Sequence, residues 1–164
     1  MTSSDLQQLY QQIILDHAKA RHGFLTEPLV DPGTDSAGRP GTAQSHQVNT
    51  TCGDEVTVRV TVGSATAGGT DRIADLAWHG EGCSISMASA SVLSDTVQGL
   101  SAAEATALLA AFRDMLRSRG TVEADEELLG DAAAFAGVSR YPARIKCAML
   151  PWVAFEDALS RAED

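Results

Sequence analysis

The sequence predicts an α+β fold, with strands first and helices after. Valine occupies every even position of Glu55-Val-Thr-Val-Arg-Val-Thr-Val62, so one face of a strand is buried and the other is wet. The Gly- and Thr-rich stretch from Gly63 to Thr70 reads as a hairpin connection to a second, antiparallel strand over Arg72 to His79. Beyond residue 84 the apolar residues recur at helical spacing. Strands followed by helices exclude a parallel doubly wound sheet.

The 164 residues have the length of one domain, 1–164. Leu6, Leu9, Tyr10, Ile13 and His17 follow the possible caps Ser3 and Ser4 at helical spacing, which predicts an amphipathic helix over 4–20, ending before Gly23. From Asp31 to Gln47, Pro, Gly, Ser, Thr and Gln dominate and only Ala37 and Ala43 are apolar, which predicts a flexible surface loop. The second strand alternates less regularly than the first, so a bulge is expected there. Ser101-Ala-Ala-Glu104 is a capping-box pattern, and Ala105, Leu108, Leu109, Phe112, Met115 and Leu116 make the stripe of the helix behind it. Gly99 and Gly120 bound that helix. Residues 124–130 suit a short acidic helical turn. Pro142 suits the first turn of a last helix carrying Ile145, Met149, Trp152 and Phe155. Inside that helix Pro151 removes the N–H that would bond the carbonyl of Cys147, which predicts a kink or a break into two pieces.

Composition narrows the function classes. The apolar fraction is 44% and the charged fraction 21%, values of an ordinary globular chain. Acidic residues outnumber basic ones 22 to 12, for a net charge of −10. Nucleic acid and anionic membrane surfaces, which are bound through cations, are therefore poor partners. No segment approaches the roughly 18 apolar residues of a membrane span. An N-terminus with Asp5 early and only Ile13-Ile14-Leu15 as an apolar run argues against a secretory signal. Three cysteines, Cys52, Cys83 and Cys147, make a poor disulfide framework and point to a cytoplasmic chain with free or metal-bound thiols.

Spacing alone leaves two readings of those thiols open, as small buried hydrophobes or as convergent ligands. Cys52 lies in the polar Thr-Thr-Cys-Gly-Asp, at the entry to the first strand. Asp54, two residues on, would point to the same side of that strand. Cys83 would stand at the start of the next helix, where free N–H groups favour an anion. Cys147 falls in the first turns of the last helix. Three sulfurs and a carboxylate suit tetrahedral zinc. His79 and His46 are competitors for a ligand place, whereas His17 and His22 read as core and helix-end residues.

"LYQQIILDH", "TCGD", "GEGCSISMASAS", "LGD" at 129–131, "GVSRYPARIKCA" and Trp152 occur in that order. Together they resemble the SufU branch of the IscU/NifU-like iron–sulfur cluster assembly proteins, over nearly the whole chain except about residues 29–48, which look expanded. The resemblance implies a small antiparallel sheet packed against helices and a zinc ion held by Cys52, Asp54, Cys83 and Cys147. It implies sulfurtransferase activity, with Cys52 accepting persulfide sulfur from a PLP-dependent, SufS-like cysteine desulfurase, and a downstream iron–sulfur assembly complex as a further partner. Gly53 would let the Cys52 backbone swing, while Cys83 and Cys147 would stay as anchors. IscU-type scaffolds carry histidine immediately before the third cysteine, and here that residue is Lys146. Arg144 and Lys146 flank the site and would offset thiolate charge or meet an acidic partner. Lys146 has no cofactor pocket that would make the chain itself a PLP enzyme. The residue two before Cys52 is usually proline in this branch and here is Thr50. The rival readings are a scaffold that builds the Fe–S cluster on the same cysteines with Asp54 as labile ligand, a structural zinc domain, and, last, a thiol hydrolase.

Overall fold

The structure, a computed structural model, describes residues 3–27, 41–63, 72–121 and 125–163. It has the predicted α+β order. Helix α1 (Ser3–Ala20) leads into strands β1 (Thr42–Asn49), β2 (Asp54–Gly63) and β3 (Arg72–Glu81). Helices α2 (Ser84–Val97), α3 (Ala102–Arg117) and α4 (Glu126–Leu129) follow, then a 3-10 segment (Gly130–Arg140) and the long helix α5 (Pro142–Glu163). The strands form an antiparallel sheet of order β1-β2-β3.

The inner face of the sheet follows the valine alternation. Val56, Val58 and Val60 are buried, and opposite them on β3 lie Gly80, Trp78 and Leu76. The expected bulge is present: Thr61 pairs with Asp75 and Val62 with Ile73, leaving Ala74 as the extra residue. Helix α5 packs across β1 and β2, and α2 packs against both α1 and α5. Trp152 of α5, fully buried, stacks on Phe112 of α3 with ring centroids 4.3 Å apart. Every apolar residue of the α3 stripe is buried, and the Ser101–Glu104 capping box is formed in both directions. Short acidic α4 falls within the predicted 124–130, although residue 124 lies outside the described residues.

Four expectations are corrected. Of the loop expected over 31–47, residues 31–40 lie outside the described residues, but residues 42–47 belong to strand β1. The inward positions of β1 are Ala43, Ser45, Gln47 and Asn49, small or polar residues that give no hydrophobic alternation. The strand is held instead by its pairing with β2, where outer-face partners bond across the ladder: Arg59 Nη2 donates to Gln44 Oε1 at 3.0 Å, and His46 Nδ1 meets Thr57 Oγ1 at 2.7 Å. Cys52 consequently sits in the turn between β1 and β2, at the entry to the valine strand as expected, but that strand is the second and not the first. In α1, Tyr10 and His17 of the expected stripe face the core, but Leu9 is 46% exposed, and Ile14 and Ala18 complete the inner face. Finally, of the kink or break expected at Pro151 the break is absent, since α5 runs through it as one helix. Residues 64–70 of the predicted hairpin connection lie outside the described residues.

Candidate metal centre

The centre lies where the β1–β2 turn, the end of β3, the start of α2 and the first turns of α5 meet. The turn is Thr50-Thr51-Cys52-Gly53, all exposed, with Gly53 at φ +75°, a left-handed conformation that glycine adopts without the clash a Cβ brings. The chain then enters β2 at Asp54, whose side chain is buried. Cys83 is the N-cap of α2. Cys147 is buried on the inner face of α5.

Folding thus gathers residues far apart in sequence. The sulfurs of Cys147 and Cys52 are 3.6 Å apart, and the donor atoms of Cys52, Asp54 and Cys147 all lie within 4.8 Å of one another. Cys83 joins through Asp54, its Sγ 3.5 Å from Asp54 Oδ2. Asp54 also closes the free start of α2. Its Oδ1 accepts the Cys83 N–H at 3.0 Å and its Oδ2 accepts the Ser86 hydroxyl at 2.6 Å, a helix cap supplied from a neighbouring strand. The approach is close enough that a Cβ on Gly82 would stand 2.8 Å from Asp54 Oδ1.

The electrostatics divide the pair of buried groups. Burial alone would raise the Asp54 pKa, but hydrogen bonds from Ser86, from the Cys147 thiol, and from the Cys83 backbone and thiol outweigh it and hold the carboxyl below its ordinary value. Burial pushes the Cys147 thiol well up, and its hydrogen bonds to Asp54, Cys52 and Cys83 push the same way. Without a cation the centre is therefore one carboxylate facing a protonated buried thiol. Two sulfurs and a carboxylate in one group, with a third sulfur attached through that carboxylate, suit a thiophilic ion, whose charge would reverse that preference and draw the proton off Cys147.

None of the histidines weighed as competitors enters this group. His79 Nδ1 lies 2.7 Å from the carbonyl oxygen of Leu25, and His46 is engaged by Thr57. His22 Nδ1 contacts Asp95 Oδ2 at 2.5 Å. His17, His22 and Asp95 also bring donor atoms within 4.8 Å of one another. Both ring nitrogens of buried His17 are already committed, Nδ1 to Ser91 Oγ and Nε2 to Asp131 Oδ2, each at 2.8 Å. That cluster braces α1, α2 and the 3-10 segment. Arg144 lies over the Tyr141 ring at 5.0 Å and Lys146 is exposed. No hydrogen bond among the described residues ties either to the thiols. Two polar residues of the centre escaped the sequence reading: Ser86 and Asn49, whose Nδ2 is 3.9 Å from Cys147 Sγ. The register of Ser86, three residues after a helix-capping cysteine, was a usable signal. For Asn49 there was none until β1 was known.

The NifU-like N terminal domain matches this chain over residues 9–148. The chain is 34% identical to the zinc-dependent sulfurtransferase SufU of Bacillus subtilis, covering 98% of this chain and 96% of that protein. It is also 34% identical to the iron–sulfur cluster assembly scaffold protein IscU of Streptococcus pyogenes serotype M1, covering 99% and 89%. Among solved structures, the N-terminal part of a nitrogen-fixing NifU-like protein from Brucella abortus superposes with a TM-score of 0.69 at 28% identity, over 94% of each chain. No helix among the described residues is long and apolar enough to cross a membrane. The chain belongs to the NifU-like N-terminal domain family.

Proposed function

We propose that this member of the NifU-like family serves iron–sulfur cluster assembly as a zinc-dependent sulfur carrier, receiving sulfur on Cys52 from a cysteine desulfurase. The residues that would hold the zinc are Cys52, Asp54, Cys83 and Cys147. When bound, the ion would keep the thiols deprotonated and tie turn, strand and helices together. The observation that carries the proposal is the asymmetry of the sulfurs. Cys52 and Cys83 are both exposed, but only Cys52 rides a turn with a left-handed glycine, while Cys83 caps a helix and Cys147 is buried in one.

The transfer is a thiol exchange. The Cys52 thiolate attacks the terminal sulfur of the desulfurase persulfide, and a new S–S bond forms on Cys52. The old S–S bond breaks and the desulfurase cysteine leaves as a thiolate, with no net oxidation. Asp54, fixed by Ser86 and the Cys83 N–H, and Cys147, fixed in α5, hold their places while the turn reaches outward.

The second reading is a scaffold that builds the cluster on the same ligands, and the 34% identity to an IscU scaffold favours it as much as the SufU relative favours the carrier. Lys146 separates them, since it occupies the position where the sequence resemblance places a scaffold's histidine. Purification without added iron tests the choice. A colourless protein with about one zinc per chain that gains one sulfur atom on Cys52 when mixed with desulfurase and cysteine supports the carrier. A brown protein with thiolate-to-iron absorption overturns it in favour of the scaffold.

A further inference from the structure

The Cys52 turn has little to hold it. All four of its residues are exposed, and a Cβ on Gly53 would meet nothing within 4 Å. Both backbone N–H bonds that the turn makes among the described residues end on one residue, Asn49. Its carbonyl accepts the Gly53 N–H at 2.8 Å, and its side-chain Oδ1 accepts the Thr51 N–H at 3.2 Å. The remaining half of the same amide points inward, with Nδ2 3.9 Å from Cys147 Sγ, at the long end of an N–H···S contact. Asn49 is 7% exposed and pairs directly with Asp54 in the ladder, so its position is fixed by the sheet.

We propose that Asn49 is a positioning residue for sulfur transfer: its two-headed amide latches the Cys52 turn with one end and donates to the buried Cys147 sulfur with the other. The proposal rests on Cys52 being the acceptor and the four named residues being the ligands. An asparagine is suited to both tasks because its oxygen closes a local turn with the N–H two residues on, while its NH2 group adds a donor to a sulfur. Such outer contacts set ligand orientation and metal retention.

Two variants of the full chain separate the two ends of the amide. Asn49→Ser keeps an oxygen for the Thr51 N–H but cannot reach Cys147, whereas Asn49→Ala loses both contacts. Zinc loss to a chelator should quicken about 10-fold or more in both. Hydrogen exchange at the Thr51 amide should quicken in Asn49→Ala and stay near that of the unsubstituted chain in Asn49→Ser. Circular dichroism would confirm that each variant is folded. Unchanged zinc loss in the folded Ser variant overturns the sulfur contact, and unchanged Thr51 exchange in the Ala variant overturns the latch. If Asn49→Ala fails to fold, the Ser variant alone decides the sulfur contact, and exchange in the metal-free unsubstituted chain decides the latch: an unprotected Thr51 amide overturns it. A failure of the carrier reading looks different, because the unsubstituted chain would then take no sulfur on Cys52 while Thr51 protection still depended on Asn49.

Discussion

Cys52 and Cys147 bring their sulfurs within 3.6 Å, yet they belong to two mechanical regimes. Cys52 rides a short exposed turn whose backbone is pinned by one asparagine. Cys147 is set in the buried face of a 22-residue helix that packs across the sheet. A site assembled wholly from either regime would be too loose to hold an ion or too rigid to hand anything on. In the proposed carrier, joining the two would let a single ligand move while the rest of the shell kept its shape.

The largest expected effects break the pair one side at a time. Cys52→Ala should abolish sulfur acceptance, read by intact-protein mass spectrometry, while leaving the thermal melt of the metal-free chain almost unchanged. Cys147→Ala should lose zinc and with it the zinc-dependent part of the melting temperature. If Cys52→Ala still took up sulfur, the division between mover and anchor would be wrong.

Next comes the anchor's own support. Asp54→Ala removes both oxygens and leaves the Cys83 N–H and the Ser86 hydroxyl without their acceptor. The cost should be about 1–3 kcal/mol for each group left unpaired, with faster hydrogen exchange in the first turn of α2 and loss of zinc. Unaltered exchange at Cys83 and Ser86 would show that the cap is dispensable.

Acidity tests the same side. The folded state holds Asp54 below its ordinary pKa, so this group contributes stability above the usual carboxylate range, which is lost as pH falls through the folded value. Cys147 is raised, so in the metal-free protein its contribution is present below about pH 8.5, the unfolded thiol value, and is lost at higher pH. The metal-free chain should therefore soften at both extremes in chemical denaturation. Cys147→Ser should flatten the alkaline limb and leave the acid limb in place.

The smallest effect sharpens the mobile side. Gly53→Ala forces a Cβ into a left-handed conformation, for about 1–2 kcal/mol, but into open space. Sulfur transfer should slow by more than zinc retention suffers. Gly82→Ala should do the reverse, since its Cβ would press on Asp54. Equal effects of both on retention would erase the distinction between the regimes.

Much of the fold was legible because β2 and α3 each carry a clean hydrophobic period, at Val56–Val62 and Ala105–Leu116. Strand β1 was not legible, since its inward positions are Ala43, Ser45, Gln47 and Asn49. Its strand character lives in the pairing with β2, a long-range property that no local pattern expresses. The four candidate ligands were named from chemistry and family likeness, and the structure brings Cys52, Asp54 and Cys147 into one group with Cys83 attached through Asp54. Their supports were hidden. Ser86 is marked only by its place three residues after the capping cysteine, and Asn49 acquires its role only once β1 is a strand and Thr50–Gly53 a turn.

The serine- and alanine-rich helix α2 has one more consequence. The first two turns of this rod, 84–91, carry only Ile85 and Met87 as larger side chains, and so offer neighbours little there against a roll about the axis. Three of its four buried hydroxyls resist that, because each is keyed into a different wall. Ser86 engages Asp54 of β2, Ser89 takes the Trp152 indole N–H and bonds the Ala148 carbonyl of α5, and Ser91 meets His17 of α1. Turning the rod by a single residue, about 100°, would disengage all three keys together. Cys83 sits at the tip of that rod, so its bearing is fixed by locks distributed along the shaft, some of them two turns away from the metal centre.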